Sequence, residues 1–233
     1  MNFVDLLLQW YPDRHRDLPW RRTRDPYAIW VSEIMLQQTR VAAVIPYYER
    51  FMQELPDVAA LSAVSDDRLN RLWQGLGYYS RAGNLKRAAQ TICSEYAGRM
   101  PDRYETLLKL PGVGSYTAGA IASIAFSERV PAVDGNVLRV CARLYNDPSD
   151  VSDPAVKTRV FDALKAVMPS DAGTFNQALM ELGATVCVPN GQPLCADCPL
   201  KGVCKAKAAG TAGLLPNKAP KKPRAIEAIA PAV

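Results

Sequence analysis

The amino-acid sequence predicts an all-α protein. Apolar residues recur at helical spacing along most of the chain, as between Tyr27 and Val44. No run of β-branched residues alternates over enough length to predict a strand, and no segment repeats at a solenoid period. Prolines and glycines separate the periodic segments. We therefore expect helices joined by short loops.

The periodic segments predict a series of helices in chain order. They cover 2–11, 27–44, 46–54, 57–63, 66–74, 81–96, 102–109, 115–126, a segment beginning near 134, 153–167 and 171–186. Pro12 is expected to end the first helix, and Pro19 and Pro26 mark the loop that follows it. Residues 115–126 are small and apolar and predict a buried helix.

Length and composition restrict the class of protein. The 233 residues are enough for one large domain or two small ones, and 48% of them are hydrophobic, which allows a substantial core. The net charge of +5 fits a polyanionic partner without establishing one. The N-terminus lacks the basic and small-residue regions of a signal peptide, and no apolar run is as long as a membrane span. We expect a cytoplasmic, nucleoid-associated protein and no membrane partner.

Four of the six cysteines lie close together near the C-terminal end. They are Cys187, Cys195, Cys198 and Cys204, in the pattern C-x7-C-x2-C-x5-C. Four thiolates can hold a zinc ion or an iron–sulfur cluster. A zinc site usually has two closely spaced cysteine pairs, whereas this pattern has one such pair and uneven outer spacings. This favours an iron–sulfur cluster, with zinc as the alternative. Cys93 and Cys141 lie alone in apolar contexts and are expected in the core.

The segment LPGVG at 110–114 lies between two predicted helices. Gly112 and Gly114 would let backbone N–H groups approach an anion, and the N-terminus of the next helix adds partial positive charge. Such a site could bind a phosphate of DNA without reading its sequence. An ordinary turn between helices is the alternative.

Two acidic residues are candidates for chemistry. Asp134 lies in VPAVDGNV, where capping a helix N-terminus is the alternative role. Glu33 lies in WVSEIMLQQT, and a place on a solvated helix face is the alternative for it. Its neighbours are very apolar, however, and burial would raise its pKa towards the value that a general acid needs near neutral pH. His15 lies among arginines and is expected at the surface.

Taken together, several segments resemble the MutY-type adenine DNA glycosylases of the helix-hairpin-helix, endonuclease III-like superfamily. The matching segments are LPWR (18–21), WVSEIMLQQTRV (30–41), GLGYYSRAGNL (75–85), LPGVGSYTAGAI (110–121), PAVDGNVLRV (131–140), FNQALMELGA (175–184) and the four clustered cysteines. The family's usual first cysteine gap is six residues, and here it is seven. Full-length relatives also carry a C-terminal MutT-like domain that helps to recognise 8-oxoguanine. The chain stops before such a domain, so we expect weakened discrimination of the opposite base.

The resemblance implies roles for individual residues. Glu33 matches the acid that protonates adenine at N7. Asp134 matches the carboxylate that stabilises the resulting sugar cation. Tyr116 and Asn136 match residues that position the intermediate and water. A helix N-terminus at Asp134 and an apolar setting for Glu33 are expected to move the two pKa values apart.

The resemblance also implies how DNA and a cofactor are bound. Gln38 and Tyr78 match residues that probe the duplex near the lesion. Arg21 and Gln177 match positions near the flipped base. Gly112 and Gly114 fit the phosphate-binding hairpin, and the four clustered cysteines match the ligands of a 4Fe-4S cluster.

One position separates related enzymes. Endonuclease III-type enzymes carry a lysine two residues after the last glycine of the hairpin, and this lysine forms a Schiff base for strand cleavage. Tyr116 occupies that position here, which implies a monofunctional glycosylase that acts by hydrolysis. A glycosylase/lyase for oxidised pyrimidines is the first alternative, and a non-catalytic DNA-binding module is the second.

The expected architecture is a helix-hairpin-helix glycosylase fold with two lobes. Residues 22–130 would form a helical barrel lobe, and 1–21 with 131–210 would form the cluster lobe. Residues 211–233 are predicted to form a basic linker or tail, because the segment LLPNKAPKKPR at 214–224 contains three prolines and several basic residues. The expected substrate is double-stranded DNA with adenine opposite 8-oxoguanine or guanine, bound across the cleft by a monomer.

Overall fold

The computed structural model describes residues 2–189 and 191–219, and regular structure in them is helical apart from one isolated bridge between Asp150 and Asn217. The prediction of an all-α fold is therefore confirmed. The α-helices are α1 (Phe3–Arg14), α2 (Pro26–Met35), α3 (Val41–Glu54), α4 (Val58–Ala63), α5 (Asp66–Trp73), α6 (Ser80–Glu95), α7 (Tyr104–Leu107), α8 (Ser115–Phe126), α9 (Gly135–Tyr145), α10 (Pro154–Ala166), α11 (Ala172–Thr185) and α12 (Lys205–Ala208). A 3-10 turn spans Pro19–Arg21. In the described part of the chain, no helix is both long and apolar enough to cross a bilayer.

The larger hydrophobic core is built around α2. Every residue from Tyr27 to Met35 is buried, because this helix is apolar on nearly all sides and packs against α3, α6 and α8. The carboxylate of Asp25 caps its N-terminus by accepting a hydrogen bond from Tyr27 N at 3.1 Å. The core of the molecule therefore fixes the helix that carries Glu33.

The second core joins α1, α9 and α11, with Leu7, Val137 and Phe175 among its buried residues. Asn176 of α11 connects the two cores. Its amide nitrogen donates to Ser123 Oγ at 2.8 Å and to Val130 O at 2.9 Å. All three groups are buried, so these bonds fix α11 against the end of α8.

The predicted boundaries between the two lobes stay predictions. At two places the packing of individual residues differs from them. Leu18 and Trp20 pack in the core of α2 rather than with the cluster lobe. Leu215 is also buried, and its carbonyl oxygen accepts a 2.8 Å hydrogen bond from Arg143 Nε. The predicted tail is thus anchored at Ala212 and Leu215, because the buried guanidinium group of Arg143 needs acceptors. Residues 220–233 of the predicted tail lie outside the described residues.

The prediction for the region after Glu33 was wrong in one respect. The sequence pattern predicted one helix over 27–44 and the next over 46–54, whereas α2 ends at Met35 and α3 contains Pro46. The first helix was expected to end at Pro12, but α1 continues through it to Arg14. Proline inside a helix removes one hydrogen bond, which the packing of α3 tolerates. The break lies earlier because Arg81, distant in sequence, donates to the carbonyl oxygens of Ile34 and Met35 at 2.8 and 3.0 Å.

Candidate active site

A cavity of about 510 Å³ lies between the two cores. Its walls include residues of α2, α8, α11 and the N-terminal end of α9. The predicted site residues that line it are Arg21, Glu33, Gln38, Tyr116, Asp134, Asn136 and Gln177. Tyr78, Gly112 and Gly114 do not line it. Residues that are far apart in sequence thus meet around one space.

Glu33 is a buried acid in the wall of the cavity. It is only 6% exposed, and its Oε2 has no hydrogen-bond partner among the described residues. Burial raises the pKa of Glu33 to about 7, and the charge of Asp134 adds to this effect, while Tyr116 and Arg21 partly oppose it. The solvated alternative for Glu33 is therefore wrong. A carboxyl group of this kind can hold a proton at neutral pH and donate it.

Asp134 is held as the N-cap of α9. Its carboxylate accepts hydrogen bonds from Val137 N at 2.8 Å and from Asn136 Nδ2 at 2.7 Å. Burial nevertheless raises the pKa of Asp134, although these hydrogen bonds oppose it. The N-terminus of α9 lowers this pKa through these hydrogen bonds, but the cost of burial is larger and the net shift is upward. The Asp134 side chain thus both caps α9 and lines the cavity.

Tyr116 lies in the first turn of α8, and its hydroxyl is 3.2 Å from Met180 Sδ. Burial raises the pKa of Tyr116 well above its ordinary value, and the charges of Glu33 and Asp134 raise it further. The phenol is therefore neutral. It can donate a hydrogen bond in the cavity but cannot act as an amine.

Asn136 is fixed from the side of the cysteine loop. Arg139 Nη2 donates to Asn136 Oδ1 at 2.8 Å, and Arg139 Nε donates to Cys187 O at 2.8 Å. Gly183 on α11 allows this packing, because a Cβ atom there would lie 2.6 Å from Asn136 Cβ. A continuous set of hydrogen bonds thus runs from the cysteine loop to the Asp134 carboxylate.

Glu181 is not among the site residues predicted from the sequence, and its side chain is fully buried at the edge of the cavity. Arg16 donates to it through Nε and Nη2, both at 2.8 Å, and Arg21 Nη2 donates at 2.7 Å. Burial opposes ionisation of Glu181, but the arginines outweigh it and lower its pKa to about 2. A signal was present, since Glu181 is four residues after Gln177 and shares its helix face.

We expect Glu181→Gln to destabilise the protein by about 2–4 kcal/mol at neutral pH, because it leaves a buried arginine without its counter-charge. The lower end allows for solvent screening at the partly exposed Arg16. A carboxylate with a lowered pKa stabilises the fold above its unfolded pKa, and this contribution is lost as pH falls towards about 2. Urea unfolding at pH 7 and at acid pH measures both effects. If the difference in unfolding free energy between the wild type and Glu181→Gln were as large at acid pH as at pH 7, this explanation would be contradicted.

The residues expected to contact the duplex lie at the surface near the cavity. Gln38 is exposed at the mouth of the cavity, and Tyr78 is 62% exposed. Gly112 has φ +76°, and a Cβ atom there would meet Asn84, so the turn requires glycine. Gly114 caps the N-terminus of α8. The hairpin joins α7 to α8, as the pattern predicted.

The four clustered cysteines line one small cavity next to Arg143. Arg143 is buried, and its Nη1 lies 3.3 Å from Cys187 Sγ. Lys201 and Lys207 also line this cavity. Within residues 2–189 and 191–219, no group of three or more His, Cys, Asp or Glu side chains is arranged around a single metal position. The four cysteines thus line one cavity beside a buried guanidinium group, with the seven-residue gap accommodated, but their side chains are not arranged as a ready set of metal ligands.

A family model described as "HhH-GPD superfamily base excision DNA repair protein" matches residues 31–165. The chain belongs to this superfamily. It is 50% identical over 214 residues to adenine DNA glycosylase of Mus musculus, covering 88% of this chain and 41% of the relative. It is 44% identical to adenine DNA glycosylase of Mycolicibacterium smegmatis, covering 88% of this chain and 69% of the relative. The chain thus spans about two fifths of the length of its mammalian relatives.

Solved structures of HhH-GPD enzymes share the fold. A thermostable thymine-DNA glycosylase superposes with a TM-score of 0.80 at 29% identity, covering 89% of this chain and 95% of that one. An endonuclease III trapped as a covalent intermediate with DNA superposes with a TM-score of 0.73 at 25% identity, covering 89% and 94%. The predicted helix-hairpin-helix glycosylase fold is therefore confirmed.

Proposed function

We propose that this protein is a monofunctional adenine DNA glycosylase that acts on adenine opposite 8-oxoguanine or guanine. The observation that carries the proposal is the buried Glu33 carboxyl, whose pKa of about 7 lets it hold a proton beside Asp134. Membership of the HhH-GPD superfamily and the adenine-specific names of the relatives support the substrate. The cavity of about 510 Å³ has room for a base that has been flipped out of the duplex.

The first chemical step is proton transfer to the leaving base. Glu33 donates its proton to adenine N7, and the electron pair of the C1′–N9 bond moves onto the base as that bond breaks. Adenine then leaves as a neutral molecule instead of an anion. The apolar surroundings of Glu33 favour this step, because the carboxyl group must be protonated before the reaction.

The second step is the capture of the sugar cation by water. The Asp134 carboxylate stabilises the positive charge that develops at C1′. Water adds its oxygen to C1′, and its proton passes to a carboxylate of the site. Asn136 holds Asp134 Oδ2 at 2.7 Å and so orients the carboxylate towards the cavity. Tyr116 stays a neutral donor that can orient the sugar or the water.

Double-stranded DNA is the partner that this mechanism requires. Gln38 and Tyr78 are exposed where they can probe the duplex, and Gly112 and Gly114 would bind a phosphate at the hairpin. Arg21 and Gln177 line the cavity that would receive the flipped base. We infer action as a monomer in a cytoplasmic, nucleoid-associated location.

The glycosylase/lyase alternative needs an amine in the cavity. No lysine is among the described residues that line it, and Tyr116 stands where the resemblance places the Schiff-base lysine. A Schiff base with the sugar therefore has no obvious nucleophile. Borohydride, which would trap such an adduct, is expected to give no covalent product.

The test is adenine release from duplexes with one A·8-oxoguanine, A·G or A·T pair, under single-turnover conditions. Strand breaks are measured with and without alkali. We expect release from the two mispairs only, with breaks that need alkali. No release from any duplex would refute the adenine assignment. Release with alkali-independent breaks would favour the lyase alternative, and DNA binding without release would favour a non-catalytic module.

We expect the rate of adenine release to fall about tenfold for each pH unit above about 7, because Glu33 then loses its proton. The rate should also fall in acid, when Asp134 becomes protonated at a pH above its ordinary pKa. The Tyr116 hydroxyl group opposes the rise in the pKa of Glu33, so Tyr116→Phe should move the alkaline limb to higher pH. Single-turnover rates from about pH 5 to 9 measure both limbs. A rate that is flat across neutral pH would exclude Glu33 as the acid.

We propose that Cys187, Cys195, Cys198 and Cys204 hold a 4Fe-4S cluster. The four thiols line one cavity, and the buried Arg143 donor beside Cys187 Sγ fits a thiolate ligand. When bound, the cluster would link four points of the loop and place its charge next to Lys201 and Lys207. It lies outside the catalytic cavity, so we assign it a structural and DNA-contacting role.

We expect anaerobically purified protein to contain about four iron and four sulfide ions per chain, and Cys198→Ser to lose them. The variant should also unfold at a lower temperature, because the loop between Val186 and Leu215 loses its links. Cys93→Ser is the matched control, since Cys93 is a half-buried cysteine of the other core. Stoichiometric zinc with no iron would show that the alternative metal occupies the site.

A further inference from the structure

Two exposed residues near the cavity have an unusual backbone conformation. Gln38 has φ +59° and Tyr78 has φ +46°, both in the left-handed region that side chains other than glycine rarely adopt. Gln38 lies between α2 and α3, and Tyr78 lies between α5 and α6. Such conformations persist only where the surroundings hold them, and they concentrate at functional sites.

Arg81 of α6 binds the peptide carbonyl directly before each of these residues. Its Nη1 donates to Gln37 O at 2.6 Å, and its Nη2 donates to Gly77 O at 3.3 Å. It also donates to Leu76 O at 3.0 Å and, as described above, to the two carbonyls at the end of α2. One side chain thus joins both loops to the helix that carries Glu33.

The surroundings of Arg81 show that its guanidinium group is enclosed rather than paired. The residue is 8% exposed and has no carboxylate partner among the described residues. Its charge is balanced by carbonyl oxygens, including those at the negative end of α2. The guanidinium carbon lies 5.4 Å from the ring centre of Trp73 and 5.6 Å from that of Tyr78. Arg81 therefore contacts Tyr78 twice, through the peptide carbonyl group before it and through the face of its ring.

We propose that Arg81 is a positioning residue that holds Gln38 and Tyr78 in one arrangement relative to Glu33, and thereby sets how well the protein opens and reads a mispair. The inference rests on the proposed function, because the probing roles of Gln38 and Tyr78 belong to it. Arg81 does not line the cavity and takes no part in the chemical step. Its effect is expected on mispairs within a duplex and not on an adenine that is already unpaired.

Lysine at this position separates geometry from charge. It keeps the positive charge, but its single ammonium group cannot reproduce two nitrogen atoms that each donate to a different loop. Arg50→Lys is the matched control. Arg50 also donates to a backbone carbonyl, Leu72 O at 3.2 Å, and lies 5.0 Å from the ring centre of Tyr47, away from the cavity.

The experiment compares single-turnover adenine release from two DNA substrates. One is a duplex with an A·8-oxoguanine pair, and the other carries adenine as an unpaired bulge with no opposite base. We expect Arg81→Lys to slow release from the duplex by roughly tenfold or more and from the bulge by less than about threefold. Arg50→Lys should leave both rates within about twofold. An equal loss on both substrates would show a general structural role and overturn the inference.

Amide hydrogen exchange tests the same inference without activity. We expect Arg81→Lys to increase exchange in residues 36–40 and 75–79 together, while the interior of α8 stays protected. Unchanged exchange in either segment would overturn the inference. If the lysine variant does not fold, Arg81→Gln replaces it, because a neutral amide avoids burying an ammonium group. Wild-type protein that releases adenine from neither substrate would refute the proposed function, and the exchange result would still decide the role of Arg81.

Discussion

Glu33→Gln should lower the rate of adenine release by about 1,000-fold or more, since general acid catalysis contributes up to about 10⁴-fold. The amide keeps the size of the side chain but has no acidic proton to give. Single-turnover release from an A·8-oxoguanine duplex measures the loss. Duplex affinity should stay unchanged, because Glu33 is buried in the cavity and does not lie on the DNA-facing surface. Retained release within about tenfold of the wild-type rate would point to a different acid.

The same substitution should make the protein more stable at alkaline pH. Native Glu33 binds its proton more tightly than the unfolded chain does, because its pKa is raised to about 7. The free energy of unfolding therefore falls as pH rises from the unfolded pKa through about 7, by on the order of 3 kcal/mol. Glutamine removes this penalty. The variant should gain stability over the wild type above pH 7 by about this amount and show no pH-dependent gain below the unfolded pKa.

Glu54→Gln is the matched control for both measurements. Glu54 lies exposed on α3 and pairs with Arg68 at 2.6 Å. Exposed ion pairs of this kind contribute about 1 kcal/mol or less to stability. Because Glu54 does not line the cavity, the rate of adenine release should stay within about twofold of the wild-type rate at each pH. A large effect in this control would show that glutamate substitution disturbs the protein in a way unrelated to the cavity.

Most helices and the burial of Glu33 could be predicted because their signals are local, whereas the catalytic role of Asp134 was implied only by the family resemblance. Asp25 followed by Pro26 starts α2, and the apolar run after them buries Glu33. The raised pKa of Glu33 follows from that burial. The spacing of the cysteines likewise predicted that they meet. Each of these inferences needs only the chemistry of a short segment.

The parts that could not be predicted depend on contacts between distant segments. The end of α2 at Met35 depends on Arg81, which lies 46 residues further along the chain. The direction of the Asp134 pKa shift depends on how deeply other helices bury the α9 N-terminus. The sequence places Glu181 on the same face of α11 as Gln177, but its charge state depends on Arg16 and Arg21, which come from another segment. The periodicity of apolar residues predicts a single helix, whereas these features depend on contacts between segments that are distant in sequence.

Asp134→Asn should lower the rate of adenine release by about 10²–10³-fold while leaving the fold intact. Asparagine caps a helix about as well as aspartate, so the hydrogen bond from Val137 N can be kept at 2.8 Å or near it. The negative charge that stabilises the sugar cation is lost. Single-turnover release and thermal unfolding separate the two roles of this side chain. The acid limb of the pH profile should also disappear, because it reports the protonation of Asp134.

Asp153→Asn is the matched control, since Asp153 caps α10 by accepting from Ala155 N at 2.8 Å and lies outside the cavity. It should change neither stability nor rate by a measurable amount. Asp134→Ala completes the comparison, because it removes the charge and the cap together and should cost about 1 kcal/mol of stability as well. If Asp134→Asn kept the wild-type rate and only Asp134→Ala lost it, Asp134 would act through the cap alone. The sugar cation would then have to be stabilised by another group of the cavity.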